Sequence, residues 1–217
     1  MIRVENIQVF GMDPAFRGMR NPLNSWHKAD SQYKKDDVGN VFFEPGENDW
    51  KLAQTLAGEG APNRKFLRMI NAWMDITAPL YWWKEFDTYK VGTVADSCST
   101  MHTIHSRPFC EKDFSTEHLN ADNRAMMAMM IGALENARQK YLQTRDKEDW
   151  WQLIQMLPSS YNQKRTVMLN YETLAQMLKW RNNHKLDEWR MLCAVIRNMP
   201  ASGLIEKAAG LEEKHEV

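Results

Sequence analysis

Apolar and polar positions change their period several times along the chain, and each change marks an element. Val4, Ile7, Val9 and Phe10 stand near alternation among polar neighbours, the pattern of a strand that ends near Gly11. Residues 28–48 carry Lys34-Lys35-Asp36-Asp37, Gly39-Asn40 and Pro45-Gly46, turn signals that make this stretch mostly loop. Trp50, Leu52, Ala53, Leu56 and Ala57 follow helical spacing, and Gly58 and Gly60 end that helix. Ile70, Ala72, Met74 and Ile76 alternate with Asn71, Trp73, Asp75 and Thr77, which predicts a half-buried strand; a helical reading of residues 64–74 competes. Pro79 suits the first turn of a helix through Phe86, and the small polar residues 91–100 read as a loop.

From about residue 120 the pattern turns helical. Asn120 or Asp122 caps a long helix through Tyr141, whose Met126, Met127, Met129, Met130, Ile131 and Leu134 make more than one face apolar. Such a helix is expected inside a domain or at a subunit interface. Asp146 caps a second helix that Pro158 closes, and Arg165–Leu169 is a short strand. Helices follow over about 171–182 and 186–198, with a final helix or tail beyond Pro200. The fold class is therefore α+β: one helix-dominated domain over residues 1–217, with a small, mainly antiparallel sheet.

Composition narrows the function. Lys plus Arg and Asp plus Glu each total 28, so the formal charge is zero, which argues against bulk nucleic-acid or polybasic membrane binding. The longest apolar run, Ala125 to Leu134, is well short of the roughly 20 residues of a membrane span. The first residues are too charged for a signal peptide. Three cysteines without a CxxC pair suit a reduced, cytoplasmic protein.

Walker, GxGxxG, GxSxG and HExxH signatures are missing from the sequence. Cys98, His102, His105 and Cys110 are chemically able to bind Zn²⁺, at a spacing that fits no common zinc module. Cys98 and His102 can also be read as a nucleophile and its base. Tyr81-Trp82-Trp83 and Phe86 read as core, with ring stacking as the alternative. Arg64, Lys65 and Arg68 form a basic spot, either a solvated face or a phosphate contact.

Two segments together carry a family resemblance. One is Leu157-Pro158, then Thr166-Val167-Met168-Leu169-Asn170, then Trp180-Arg181 and Glu188-Trp189, with Arg181 eleven residues beyond Asn170. The other is the strand-to-helix step Ile76-Thr77-Ala78-Pro79-Leu80. Over roughly residues 47–199 the chain resembles the flavin-dependent thymidylate synthases. The resemblance implies reductive methylation of dUMP or a related pyrimidine nucleotide, with FAD as cofactor and NADPH and methylenetetrahydrofolate as co-substrates. It implies a homotetramer whose active sites are shared between subunits. By the same carry-over Arg181 meets and activates the pyrimidine, and Lys90, Ser97 and Ser99 hold its phosphate. Asn170, Tyr89 and Lys84 face the flavin. Asn170 has a second reading as a helix cap, and Arg181 as a member of a surface ion pair.

The chain departs from the family where flavin is held. Thr88-Tyr89-Lys90 stands in place of an Arg-His-Arg signature, and Cys98, between Ser97 and Ser99, in place of its later Ser. Met101 falls where a further Arg is expected, and Glu172 where an Arg often follows the Asn. Phosphate contacts then come from elsewhere, with Lys84, Arg64, Lys164 and Arg165 as candidates, or the cofactor differs or is gone. The alternative function is a catalytically inactive nucleotide- or partner-binding member of the same fold, from a phage or other mobile element.

Overall fold

The computed structural model describes residues 1–211. Six strands and eight helices form in the order β1 (Arg3–Phe10), α1 (Met12–Gly18), β2 (Gln32–Lys35), β3 (Val41–Glu44), α2 (Glu47–Gly58), β4 (Asn71–Pro79), α3 (Leu80–Phe86), β5 (Thr93–Ser97), α4 (Ala121–Thr144), α5 (Lys147–Met156), β6 (Asn162–Asn170), α6 (Tyr171–Arg181), α7 (Asp187–Arg197) and α8 (Ser202–Ala209). The fold is α+β. Its main sheet is small and antiparallel, with strand order β1-β4-β6-β5.

Three strands pass into helices almost without a loop. Gly11 alone separates β1 from α1, with φ of +92°. A Cβ there would stand 2.2 Å from the Met69 carbonyl oxygen, so only glycine fits. β4 runs straight into α3, with Pro79 in extended conformation as the cap residue rather than inside the first turn. β6 runs straight into α6, and Asn170 caps it through a side-chain bond from the Thr173 amide.

The chain divides into two compact units, each assembled from separate segments. The first comprises Met1–Glu5, Asp75–Tyr89 and Ala95–Thr166. Its buried aromatic set is Trp82, Trp83 and Phe86, with ring centroids about 5 Å apart, which bears out the core reading of these residues. A second apolar cluster joins Ile104, Phe114, Met127, Leu134 and Leu153, where α4 packs on α5. Only Met127, Leu134 and Arg138 of α4 are buried, one stripe of the helix. Met126 and Met129 stay 67% and 76% exposed in the chain, so the expected burial holds for one face only.

The second unit comprises Asn6–Met74, Lys90–Val94 and the chain from Val167. α6 is its central helix, with seven of its residues buried among α7, α8 and the 3-10 turn Arg64–Arg68. Arg64 donates to Glu172 at 3.0 Å and to the Ala208 carbonyl at 2.9 Å. Glu172 thus has a structural reason to be acidic. It tethers the Arg64 turn to α6, and the Arg64 Nε and Nη1 donors are committed to these contacts.

Two stretches expected as loop contain strands. Residues 28–48 contain the antiparallel hairpin β2–β3, paired from Gln32↔Glu44 to Lys35↔Val41. The turn signals are its tight connection: Asp36 Oδ1 accepts from the Val38 amide at 3.1 Å and the Asn40 amide at 2.8 Å, and Gly39 takes φ of +89°. Residues 93–97 form β5 instead of a loop. As an edge strand beside β6 it leaves most side chains in water, so it lacks the alternation that marks a half-buried strand. Beyond Pro200 the chain forms α8, and the rest of the expected tail, residues 212–217, lies outside the described residues.

Arg20 and Asp49 form a buried ion pair in the second unit, 2.5 Å from Nε to Oδ1. Asp49 Oδ2 also accepts from the Ser31 hydroxyl and from the amides of Asp30 and Ser31. Burial alone would raise the Asp49 pKa, but the bonds from Ser31 and Arg20 outweigh it and hold it below its ordinary value. Asp49→Ala leaves Arg20 buried and unpaired and is expected to cost about 3–5 kcal/mol, read by chemical denaturation. Because the folded pKa is depressed, the pair's contribution is full above the ordinary carboxylate range and declines as the pH falls below it.

Candidate functional site

In the first unit, β4, β6 and the segment 98–113 enclose a cleft of about 530 Å³. Thr77 of β4 and Asn162, Gln163 and Lys164 of β6 line one side of it. The segment is fastened to β6 by the Cys98 amide, which donates to the Lys164 carbonyl at 2.9 Å, and by Gln163 Nε2, which donates to the Cys98 carbonyl at 2.8 Å. Ser99 then shapes a turn. Its Oγ accepts from the Met101 amide at 3.2 Å and the His102 amide at 3.0 Å, which leaves the hydroxyl proton to donate.

The segment's middle is held by two carboxylates. Glu135 of α4 accepts from Arg138 Nε at 2.8 Å and Nη2 at 2.7 Å, from Gln139 at 2.9 Å and from the Phe109 amide at 3.1 Å. Arg138 Nη1 donates in turn to the His105 carbonyl at 3.1 Å. The bonds from Arg138 outweigh burial and hold the Glu135 pKa at about 2. Asp113 caps a short turn by accepting from the Cys110 amide at 2.8 Å, and its other oxygen takes Arg107 Nη2 at 2.6 Å. That bond, and the attraction of Asp113, raise the Arg107 pKa further.

The cleft is cationic. Arg3, Arg107, Lys112 and Lys164 line it with Asp113 as the acid. Lys164 is paired with Asp75 at 2.8 Å, Arg3 with Glu5 at 3.0 Å, and Lys112 has no partner among the described residues. Tyr161 also lines the cleft, and burial raises its pKa, so it remains a proton donor. Cations and hydroxyls converging in a concave site suit an anionic, phosphate-bearing ligand.

The residues singled out from sequence divide between the units. In the first, Ser99 lines the cleft, Ser97 is exposed at the end of β5, Lys84 is exposed on α3, and Tyr89 is half-buried just after it. In the second, Lys90 is exposed, and the next two residues close over the start of α6. The Thr173 hydroxyl donates to the Val91 carbonyl at 2.9 Å. Gly92 has φ of +69°, and a Cβ there would come within 2.0 Å of Asn170 Nδ2. Asn170 Oδ1 accepts from the Thr173 amide at 2.9 Å, the contact of a helix cap. Arg181 ends α6 with its guanidinium 4.7 Å from the Trp189 ring centroid, a cation–π stack on a buried indole.

Of the alternative phosphate contacts, Lys164 is in the cleft. Arg165 is committed to Asp87 at 2.7 Å and stacks on Trp83 at 4.2 Å. Cys98, His102, His105 and Cys110 do not assemble: no group of three or more potential ligands forms among the described residues. The His105 ring packs edge-on against Tyr141 instead, with centroids 5.0 Å apart. No described helix is long and apolar enough to cross a membrane.

The arrangement of strands and helices defines a class, the fold of the flavin-dependent thymidylate synthases. Thymidylate synthase X from Helicobacter pylori, solved with FAD and dUMP, superposes with a TM-score of 0.68 at 19% identity, covering 96% of this chain and 99% of that one. The UMP/dUMP methylase PolB from Streptomyces cacaoi, bound with 5-Br dUMP, superposes with a TM-score of 0.60 at 14% identity, covering 97% of each chain. At these identities the likeness is one of fold. Neither a known family model nor a curated protein sequence matches the chain.

Arg107, Lys112 and Tyr161 were not singled out from sequence. They lie in turns and at a strand end, where no period marks a shared face. Cys110-x-x-Asp113 has the spacing of a capping box, with Cys in the place of Ser or Thr, and was the one local signal. Glu135→Gln should loosen the segment it holds, seen as faster amide exchange at Phe109. Because the folded pKa of Glu135 is depressed from 4.5 to about 2, its contribution is complete above about pH 4.5 and is lost as the pH falls toward 2. Thermal melts of wild type should therefore lose more between those pH values than melts of the Gln variant.

Proposed function

We propose that the chain binds a pyrimidine nucleotide and methylates it, as a divergent protein of the flavin-dependent thymidylate synthase type acting on dUMP or a related nucleotide. The observation that carries this reading is the cationic cleft, in a chain whose fold neighbours hold dUMP or its bromo analogue. Ser99 offers the phosphate a hydroxyl on the cleft wall, Lys164 adds positive charge there while paired with Asp75, and Ser97 is a further phosphate contact. Arg181 serves the pyrimidine. Its guanidinium is always charged, and stacking on Trp189 holds it in place to stabilise negative charge developing on the ring during attack. The family resemblance implies a homo-oligomer with active sites shared between subunits.

A bound flavin would supply the hydride that brings the carbon from methylenetetrahydrofolate to the methyl level, with NADPH as the other co-substrate. Lys84 is exposed and without a partner among the described residues, and Tyr89 is half-buried. An ammonium for the pyrophosphate and a phenol ring for stacking fit FAD, and these two residues would hold it. Asn170 fits less well, because its Oδ1 already caps α6 by accepting the Thr173 amide. That commitment favours a second reading, a nucleotide-binding protein of this fold without catalysis.

The visible absorption of the purified protein, with and without added FAD, followed by an assay of dUMP methylation, separates the two. Bound flavin with FAD-dependent turnover is expected. Arg181→Ala should then lower kcat by about 100-fold or more, the scale of losing one charge-stabilising donor. Stabilisation by dUMP with neither flavin nor turnover would leave only the second reading. Absence of any pyrimidine-nucleotide binding would contradict both.

A further inference from the structure

We infer that Arg107, positioned by Asp113, recognises the 5′-phosphate of the nucleotide in the first unit's cleft, an inference that rests on the pyrimidine-nucleotide reading above. The guanidinium is fixed at one corner and free at the others. Asp113 is nearly buried and uses both oxygens, one on the Cys110 amide and one on Arg107 Nη2. Arg107 itself is 60% exposed on the cleft wall, and its remaining N–H donors meet no other partner among the described residues. A planar fork held by one edge presents parallel donors to two phosphate oxygens.

The groups beside it complete a phosphate site. Asp113 balances one positive charge, so Lys112, which has no partner among the described residues, supplies the net charge and Arg107 the directed bonds. The Tyr161 phenol is close enough to Arg107, Asp113 and Cys98 to feel all three electrostatically, and it makes no hydrogen bond of its own among the described residues. With the Ser99 proton, the cleft offers a fork, an ammonium and two hydroxyls, the donor set of a phosphate monoester. The other basic residues near β6 are less available: Lys164 is held by Asp75, and Arg165 by Asp87 and Trp83. Met101, where the family resemblance leads one to look for a cation, carries none, and Arg107 supplies it from six residues further along the same segment.

Calorimetric titration of wild type, Arg107→Ala and Arg107→Lys with dUMP and with deoxyuridine tests this. Arg107→Ala should weaken dUMP binding by about 10- to 100-fold, the scale of charged hydrogen bonds, and leave deoxyuridine binding unchanged. Arg107→Lys should not restore the loss, because an ammonium gives no fork. Asp113→Asn should lower the dUMP-to-deoxyuridine affinity ratio by a smaller factor, a readout that a purely structural role would not move. Should Asp113→Asn fail to fold, the exposed Arg107 variants still decide the matter. Wild type that binds dUMP, with Arg107→Ala binding it equally, overturns this inference alone. Wild type that binds no pyrimidine nucleotide overturns the underlying reading and this inference with it.

Discussion

The pairing of β4 with β6 is the constraint on which the cleft depends. Within the first unit the Leu80 amide bonds the Tyr161 carbonyl and the Thr166 hydroxyl bonds Asp75, and within the second the Tyr171 amide bonds the Ile70 carbonyl. Each strand leads directly into a helix, so the register also fixes where α3 and α6 begin. In the first unit it sets Thr77 beside Asn162–Lys164 on the wall of the cleft. In the second it sets Asn170 at the start of α6, under the turn at Gly92. A slip of one residue would turn the buried Val167 and Leu169 outward.

The cleft's wall opposite the strands has little regular structure, so its shape rests on polar bonds. Glu135 and Asp113 each bind a main-chain amide and an arginine, and through them the segment from His105 to Asp113 is tied down. Carboxylates used this way leave few negative charges facing the cleft. The zero net charge of the chain therefore hides a local excess of cations. The exposed Lys112 and the outer donors of Arg107 are solvated, so they meet a ligand at little desolvation cost. The buried Arg20–Asp49 pair, by contrast, has no open donor facing solvent and serves packing.

Much of the helical architecture was legible in the sequence because helix and strand periods persist over long segments. The alternation at Ile70–Thr77 identified β4, and Asn120, Asp146 and Asn170 as cap residues each accept the amide bond that their position implied. β5 and the β2–β3 hairpin were not legible. An edge strand solvated on both faces has no apolar alternation, and in a hairpin with a tight connection the turn residues outweigh the short strands. The site was legible in part. Of the residues named from the sequence, Ser99 and Lys164 line the cleft, while Arg107, Lys112 and Tyr161 are gathered by tertiary bonds between segments far apart in the chain.

The account's central claim is that the cleft beside β4 and β6 receives the phosphate of a pyrimidine nucleotide. A crystal structure of the protein grown with dUMP tests it most directly. The account predicts phosphate oxygens within hydrogen-bonding distance of the Arg107 guanidinium and the Ser99 hydroxyl, with Lys112 alongside. A nucleotide whose phosphate lies away from Arg107 and Ser99, with the cleft holding only solvent, would contradict it.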